Sequence, residues 1–207
     1  MRIGIDFDNT IACYDGVFHA AGVERGLIPA EGVAHDKTSV RDYLRGLDRD
    51  PDFTELQGYV YGPGMKHVGF YPGLLEALAA FRGAGHELFI VSHKTKTPFA
   101  GPAYDLHGHA REFLVRRGLI GAAGGLFAED QVFFEVTKED KAARAVALGC
   151  QVFIDDLPEI LALEGFAPIA RKILFDPDGH HRASALHPFE THGDWASISR
   201  SVLREAN

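Results

Sequence analysis

The sequence predicts an α/β protein built on a mostly parallel sheet with helices on both faces. Short apolar runs of strand length alternate with amphipathic runs of helix length along most of the chain. Polar, chemistry-bearing residues gather where the apolar runs end, as expected of a sheet that binds ligands beyond the carboxyl ends of its strands. One long segment, residues 15–70, interrupts the alternation and reads as an insertion.

Residues 2–7 are the first predicted strand, apolar up to a carboxylate at position 6. A helix is predicted at 16–26, with Val17, Phe18, Ala20, Ala21 and Val23 apolar and Gly26 as its stop. Residues 27–71 are rich in Gly, Pro, Tyr and charge, with helices at 38–46, capped by Thr38 or Ser39, and at 52–61. Residues 73–83 form an amphipathic helix between Pro72 and the stop signals Gly83 and Gly85. Glu87 to Val91 is a strand, 93–102 a polar loop, 103–117 a helix ending at Gly118, and 131–134 a short strand. Thr137 and Asp140 resemble a capping box for a helix reaching Leu148. A strand over 151–154 runs into Asp155-Asp156, Pro158 opens a short helix to 164, and 169–175 is the last predicted strand. The tail 176–193 is Gly- and His-rich, and a final helix covers 194–204.

Composition narrows the function classes. The 207 residues are 46% apolar and 24% charged, enough for one ordinary domain plus an insertion. The formal net charge of −8 argues against nucleic acid or an anionic membrane as a main partner, whereas a local cation still allows an anionic substrate. Cys13 and Cys150 read as buried thiols in a reducing compartment. The chain opens directly into a strand, and no apolar run reaches the roughly 18 residues of a membrane span, so a cytoplasmic protein is expected.

The chemistry concentrates at four places. Asp6 and Asp8 are two apart on or just past a strand and point the same way, so they repel unless a cation, a shared proton or solvent intervenes. Ser92-His93-Lys94 ends a second strand, Asp155-Asp156 ends a third, and Thr137-Lys138 opens a helix. In this order the chain resembles the haloacid dehalogenase superfamily of aspartate-nucleophile phosphotransferases. Asp6-Phe7-Asp8-Asn9-Thr10 matches its D-x-D-x-T motif and Ser92 its strand-ending Ser or Thr. Lys138 or Lys141 matches its helix-start Lys, and Asp155-Asp156 its acidic pair. The resemblance implies a Rossmann-like three-layer core, residues 1–14 and 71–207, with a small, mainly helical cap at 15–70.

The resemblance also implies roles. Asp6 is the nucleophile, and Asp8 the acid for the leaving oxygen and then the base for water. Mg²⁺ is the cofactor, held by the Asp6 carboxylate, the Asp8 carbonyl and one acid of the pair, with Asp156 favoured and Asp155 behind it. Ser92 binds a phosphoryl oxygen, and Lys138, with Lys141 as the alternative three residues on, offsets charge. Thr10, His93 and Lys94 are substrate-binding candidates. Asp8 argues for phosphate-ester hydrolysis over dehalogenation, since a halide leaves without a proton. The calcium-pump branch, with Thr at that position, is excluded.

From Asp8 to Ser92 is 84 residues, far more than a minimal crossover, which leaves room for the cap. Arg41, Tyr43, Gln57, Tyr59, Tyr61, Lys66 and His67 are its candidate substrate contacts. Tyr104, His107 and His109 read as helix surface. His180, His181, His187 and His192 match no zinc spacing and read as a solvated tail or an intermolecular contact. Trp195 reads as the anchor of the last helix. The expected function is a Mg²⁺-dependent phosphatase for a small phosphorylated metabolite, with no nucleic-acid or membrane partner. The alternatives are a 5′-nucleotidase, for which Tyr43, Tyr59 and Tyr61 would stack the base, and a non-catalytic binder of a phosphorylated ligand.

Overall fold

The computed structural model describes residues 1–121, 124–181 and 188–204. In chain order the elements are β1 (Arg2–Ile5), β2 (Ala12–Cys13), α1 (Val17–Glu24), α2 (Lys37–Arg45), α3 (Asp50–Tyr61), β3 (Gly69–Phe70), α4 (Leu74–Gly83), β4 (Glu87–His93) and α5 (Leu106–Arg116). There follow β5 (Val132–Glu135), α6 (Lys138–Ala147), β6 (Val152–Asp155), α7 (Pro158–Leu161), β7 (Arg171–Phe175), β8 (Glu190–His192) and α8 (Trp195–Arg204). Single 3-10 turns lie at Pro63–His67, Glu129–Gln131 and Glu164–Phe166. The chain divides into two compact units, Met1–Ala12, Phe70–His93 and Gly118–Asn207 in one, Cys13–Gly69 and Lys94–Arg117 in the other.

Among the described residues the first unit holds a six-stranded sheet in the order β5-β4-β1-β6-β7-β8, with every pairing parallel. The chain runs outward from β1 through β4 to β5, then returns to β6 on the other side of β1. The strand order therefore reverses between β1 and β6, where sheets of this kind open a crevice at their carboxyl ends. The register pairs Ile3 with Val152, Gly4 with Phe153 and Ile5 with Ile154, and Asp6 N donates to Ile154 O at 2.9 Å. That register sets Asp6 and Asp155 at neighbouring strand ends.

Side-chain alternation sorts the core into two layers. Phe89, Val91, Phe153 and Leu174 face one side, packed with Ala142 and Ala145 of α6 and Ile160 and Leu161 of α7. Ile3, Ile5, Ile90, Ile173 and Phe175 face the other, where Phe175 meets the Trp195 ring at 5.7 Å. Gly4 sits under the first layer. A Cβ there would come within 2.5 Å of the Phe153 ring, so only glycine lets β1 lie this close to that ring. Trp195 is fully buried and its Nε1 donates to Thr10 O at 3.2 Å, tying α8 to the turn after β1.

The second unit is helical. Phe18 stacks on Phe53 at 5.9 Å, and Tyr14 and Tyr61 meet edge-on at 5.0 Å, over a core that includes Val40, Leu44, Leu56 and Val60. The cap of α2 is Asp36, which accepts from Ser39 N at 2.8 Å, rather than Thr38 or Ser39. The helix therefore opens at Lys37, and the Asp36 carboxylate takes the orphan N–H of Ser39. Residues 94–117 group with this unit, beyond the 15–70 expected from sequence. Arg116 donates to Met65 O at 3.1 Å and Arg117 to Val68 O at 2.5 Å, and these backbone acceptors fix α5 to the 3-10 turn.

Element ends shift where local hydrogen bonds outrank periodicity. β1 stops at Ile5, not 7, because Ile11 N and Ala12 N both bond Phe7 O and curl the chain. α5 starts at Leu106 rather than 103, since Asp105 caps it through Gly108 N at 2.9 Å. The predicted helix 158–164 ends at Leu161 and is followed by a separate 3-10 turn. β8, unforeseen in the Gly- and His-rich tail, is held beside β7 by Arg171 on Glu190 at 2.7 Å. His187 lies outside the described residues. Cys150 is buried and its thiol pushed up to about 12 by that burial, an inert group, while Cys13 is half-buried. No helix among the described residues is long and apolar enough to cross a membrane.

Candidate active site

The first carboxylate owes its place to β1 and the turn that follows. Asp6 continues the sheet pairing for one residue, then Asn9 takes a left-handed φ of 55°, a conformation asparagine tolerates. Asn9 N closes the turn on Ala12 O at 3.0 Å. Asp6 is buried at 5% exposure, whereas Asp8, inside the turn, is half-buried. Thr10 is fully buried with no partner for its hydroxyl among the described residues.

The cation meeting Asp6 comes from α6. That helix is capped by Thr137, which accepts from Asp140 N at 3.0 Å, and packs on the sheet layer from which Asp6 and Asp155 project. Lys141 is 2% exposed. Its Nζ lies 2.6 Å from Asp6 Oδ1 and 2.5 Å from Asp155 Oδ2. The lysine facing the nucleophile candidate is therefore Lys141, and the preference for Lys138 is corrected. Lys138 opens the helix half-buried and reaches neither acid. One helical turn of depth separates them: Lys141 sits beside the packed Ala142, where the stem can run along the core.

Both oxygens of Asp155 are engaged, Oδ2 by Lys141 and Oδ1 by Leu157 N at 3.0 Å. Its carboxyl is pushed up to about 7, chiefly by complete burial and further by the Asp6 charge, against the pull of Lys141 and the Leu157 N–H. Burial alone would lower Lys141, but Asp155 and Asp6 outweigh it and hold the ammonium well above the ordinary lysine range. Asp6 Oδ2 receives no hydrogen bond among the described residues.

Asp6, Asp155 and half-buried Asp156 each bring a carboxylate oxygen within 4.8 Å of the others. An octahedral Mg²⁺ with ligands at about 2.1 Å places its oxygens about 3 to 4 Å apart, so this set fits a hard cation.

Ser92, 1% exposed, is the penultimate residue of β4, opposite Phe134 in the register, and Phe134 meets Phe7 edge-on at 5.5 Å. His93 is held below the ordinary imidazole range by desolvation first, then by the charges of Lys141 and Lys138, against a hydrogen bond to the Val136 backbone. The imidazole is thus neutral near pH 7. Lys94 belongs to the second unit. It is 4% exposed, with Nζ 4.7 Å over the Tyr61 ring, and its carbonyl accepts from His107 Nε2 at 2.7 Å. His107 is thereby a buttress of that loop, which its reading as helix surface did not foresee.

Of the remaining insertion candidates, Arg41 pairs with Asp42 at 2.8 Å, while Lys66 and His67 are exposed. Tyr59 carries the Arg25 guanidinium at 4.0 Å over its ring. The carboxylates and Ser92 follow the sequence motifs. The depth of Lys141 had no signal beyond sharing a helix face with Lys138.

No protein-family model matches the chain, and no curated protein sequence does. Solved structures do. A HAD family hydrolase from Deinococcus radiodurans, solved with bound phosphate and sodium, aligns over 99% of this chain and 95% of its own, at 21% identity and a TM-score of 0.60. A HAD hydrolase of family IA, variant 3, from Entamoeba histolytica aligns over 99% and 98%, at 14% identity and TM-score 0.61. A predicted phosphatase from Clostridium acetobutylicum aligns over 98% of both, at 14% and 0.60. The chain has the α/β fold of these haloacid dehalogenase-like hydrolases.

Proposed function

We propose that this chain is a haloacid dehalogenase-like hydrolase, a Mg²⁺-dependent phosphatase acting on a small phosphate monoester through an aspartyl-phosphate. The observation that carries the reading is the buried ammonium of Lys141 bridging Asp6 and Asp155 where the strand order reverses, with Asp156 completing an oxygen cluster. The likeness in fold to HAD hydrolases supports it.

Asp6 Oδ2 attacks phosphorus while Lys141 holds Oδ1 and fixes the carboxylate plane. The P–O bond to the leaving group breaks, and Asp8 gives that oxygen its proton. Asp8, now ionised, takes a proton from water as the water oxygen attacks phosphorus. The P–O bond to Asp6 breaks, releasing inorganic phosphate and restoring both acids. Ser92 donates to a phosphoryl oxygen, and Lys141 offsets charge that builds on Asp6 and phosphate. Asp6, Asp156 and the Asp8 carbonyl would hold Mg²⁺, which supplies charge neutralisation between carboxylate and phosphate. Asp155, its oxygens already engaged, positions Lys141.

Two of the three tyrosines suited to stacking a base already carry a cation on one face, Tyr59 with Arg25 and Tyr61 with Lys94. This favours a non-nucleotide ester over a 5′-nucleotide. The test is phosphate release from a panel of phosphorylated metabolites, nucleoside 5′-monophosphates included. Wild type and Asp6→Asn are run with Mg²⁺ and again with EDTA. Wild type is expected to turn over at least one ester, EDTA to silence it, and Asp6→Asn to lose at least about 1,000-fold. A variant that keeps its rate removes Asp6 as nucleophile.

A further inference from the structure

The two acids of the first motif stand on different supports. Asp6 is held by the sheet, through its N–H on Ile154 O at 2.9 Å, and by Lys141 on its Oδ1 at 2.6 Å. Asp8 rides on the turn that follows. There it bridges to Ala12, Ile11 N and Ala12 N converge on Phe7 O, and Asn9 holds its left-handed φ of 55°. A turn built around a left-handed residue keeps one shape only where its surroundings over-determine it.

Trp195 reaches this turn from α8. Its Nε1 donates to Thr10 O at 3.2 Å, two residues past Asp8. The indole is fully buried and wedged in place. It packs on the Phe175 ring at 5.7 Å, and Phe175 meets Tyr71 edge-on at 4.9 Å. Gly73 lies so close that an added Cβ would stand 3.6 Å from that of Trp195. The start of α8 is fixed as well, since Asp194 Oδ1 accepts from Ser197 N at 2.6 Å. Thr10 is 0% exposed, so water cannot replace the indole at its carbonyl. A buried carbonyl that loses its donor is costly, and the turn would shift to find another.

We infer that Trp195 is a positioning residue for Asp8. Its indole N–H, acting through the Thr10 carbonyl, sets the turn so that Asp8 meets the leaving-group oxygen, while Asp6 keeps its own supports. This rests on the phosphatase reading and goes beyond it by giving α8 a part in the proton transfer. As the P–O bond to the leaving group breaks, Asp8 protonates the departing oxygen. An alcohol needs that proton, whereas p-nitrophenolate leaves without it.

The test measures kcat/KM, which covers the steps up to departure of the leaving group, at saturating Mg²⁺. Glycerol 2-phosphate, an alkyl ester, is compared with p-nitrophenyl phosphate in wild type, Trp195→Phe, Asp8→Asn and the double variant. Trp195→Phe keeps an aromatic ring and loses the N–H. It should lose about tenfold more on the alkyl ester than on p-nitrophenyl phosphate. In the Asp8→Asn background that difference should vanish, because the two residues act as one unit. Equal losses on both esters, as a merely structural role gives, overturn the inference. So does a difference that persists without the Asp8 carboxyl. Where Trp195→Phe does not fold, or wild type hydrolyses neither ester, the indole of wild type decides. The one tryptophan of the chain gives one indole N–H resonance in isotope-labelled protein. Mg²⁺ alone, its binding followed by calorimetry, should shift that resonance, because the Asp8 carbonyl belongs to the proposed metal set. A shift upholds the inference. A resonance unmoved by bound Mg²⁺ overturns it and leaves the phosphatase reading standing, whereas a wild type that neither binds Mg²⁺ nor releases phosphate overturns both.

Discussion

Replacing Lys141 by methionine keeps most of the buried stem and deletes the charge between Asp6 and Asp155. Wild-type Lys141 is 2% exposed and its two acceptors are 6% and 0% exposed, so solvent cannot take over its role. Removing one partner of a buried pair costs about 3–5 kcal/mol. The pH dependence carries more information. Asp155 already titrates near 7 in the folded chain, above its ordinary carboxylate value, so its protonated form favours folding. That contribution is complete below the unfolded value and is lost as pH rises through the folded one. Without the ammonium, the folded value moves further up. Below about pH 7 Asp155 is protonated in both proteins and the penalty is flat. Above it wild type has lost its proton while the variant holds one, so the unfolded variant releases it and the penalty grows by about 1.4 kcal/mol per pH unit. Urea unfolding of both proteins in EDTA at pH 6, 7 and 8 measures this. A penalty identical at all three values refutes the claim that Lys141 offsets the Asp155 charge. In the same samples Lys138→Met should stay within about 0.5 kcal/mol of wild type, as surface substitutions do.

Asp156→Asn should raise the Mg²⁺ concentration for half-maximal activity at least tenfold and shrink the Mg²⁺-induced rise in Tm, which reports a stabilisation of about 2.7 kcal/mol at a hundred times Kd for an intact site. Gly4→Ala forces a methyl into the Phe153 ring and should cost about 1–3 kcal/mol in urea unfolding, whereas no change would mean the ring can swing aside. At Glu190 burial raises the carboxyl, but hydrogen bonds from His192, Ser201 and Arg171 outweigh it and bring it down to about 2. A depressed acid contributes stability above its unfolded value and loses it as pH falls toward the folded one. Glu190→Gln should therefore flatten the loss of stability between about pH 4.5 and 2, by about 1–2 kcal/mol after solvent screening. An unchanged acid-unfolding curve would show that the clasp on β8 contributes nothing there.

The residues that sequence alone placed well are those whose position follows from strand geometry. Asp6, Ser92 and Asp155 each stand at the end of a short apolar run, and in a parallel sheet such ends share one edge. Trp195 is the anchor of the final helix, as expected of a lone large ring beside apolar positions. The cap of α6 at Thr137, which accepts from Asp140 N, is written in a four-residue spacing. The misplaced features involve partners distant in the chain. β8 is a strand because Arg171 holds Glu190 and because Asp176 N finds His192 O at 2.8 Å, neither of which a Gly- and His-rich composition announces.

Local order along the chain determined the alternating architecture, the central strand and the acids that crown it, because period-two burial and strand ends are properties of neighbouring residues. Which lysine reaches those acids was decided only on packing. Lys138 and Lys141 share a helix face, and the depth at which α6 lies against Phe89, Val91 and Phe153 leaves the first half-exposed and drives the second between two carboxylates. The grouping of 94–117 with the insertion was decided the same way, since Arg116 and Arg117 find their acceptors on backbone about fifty residues away.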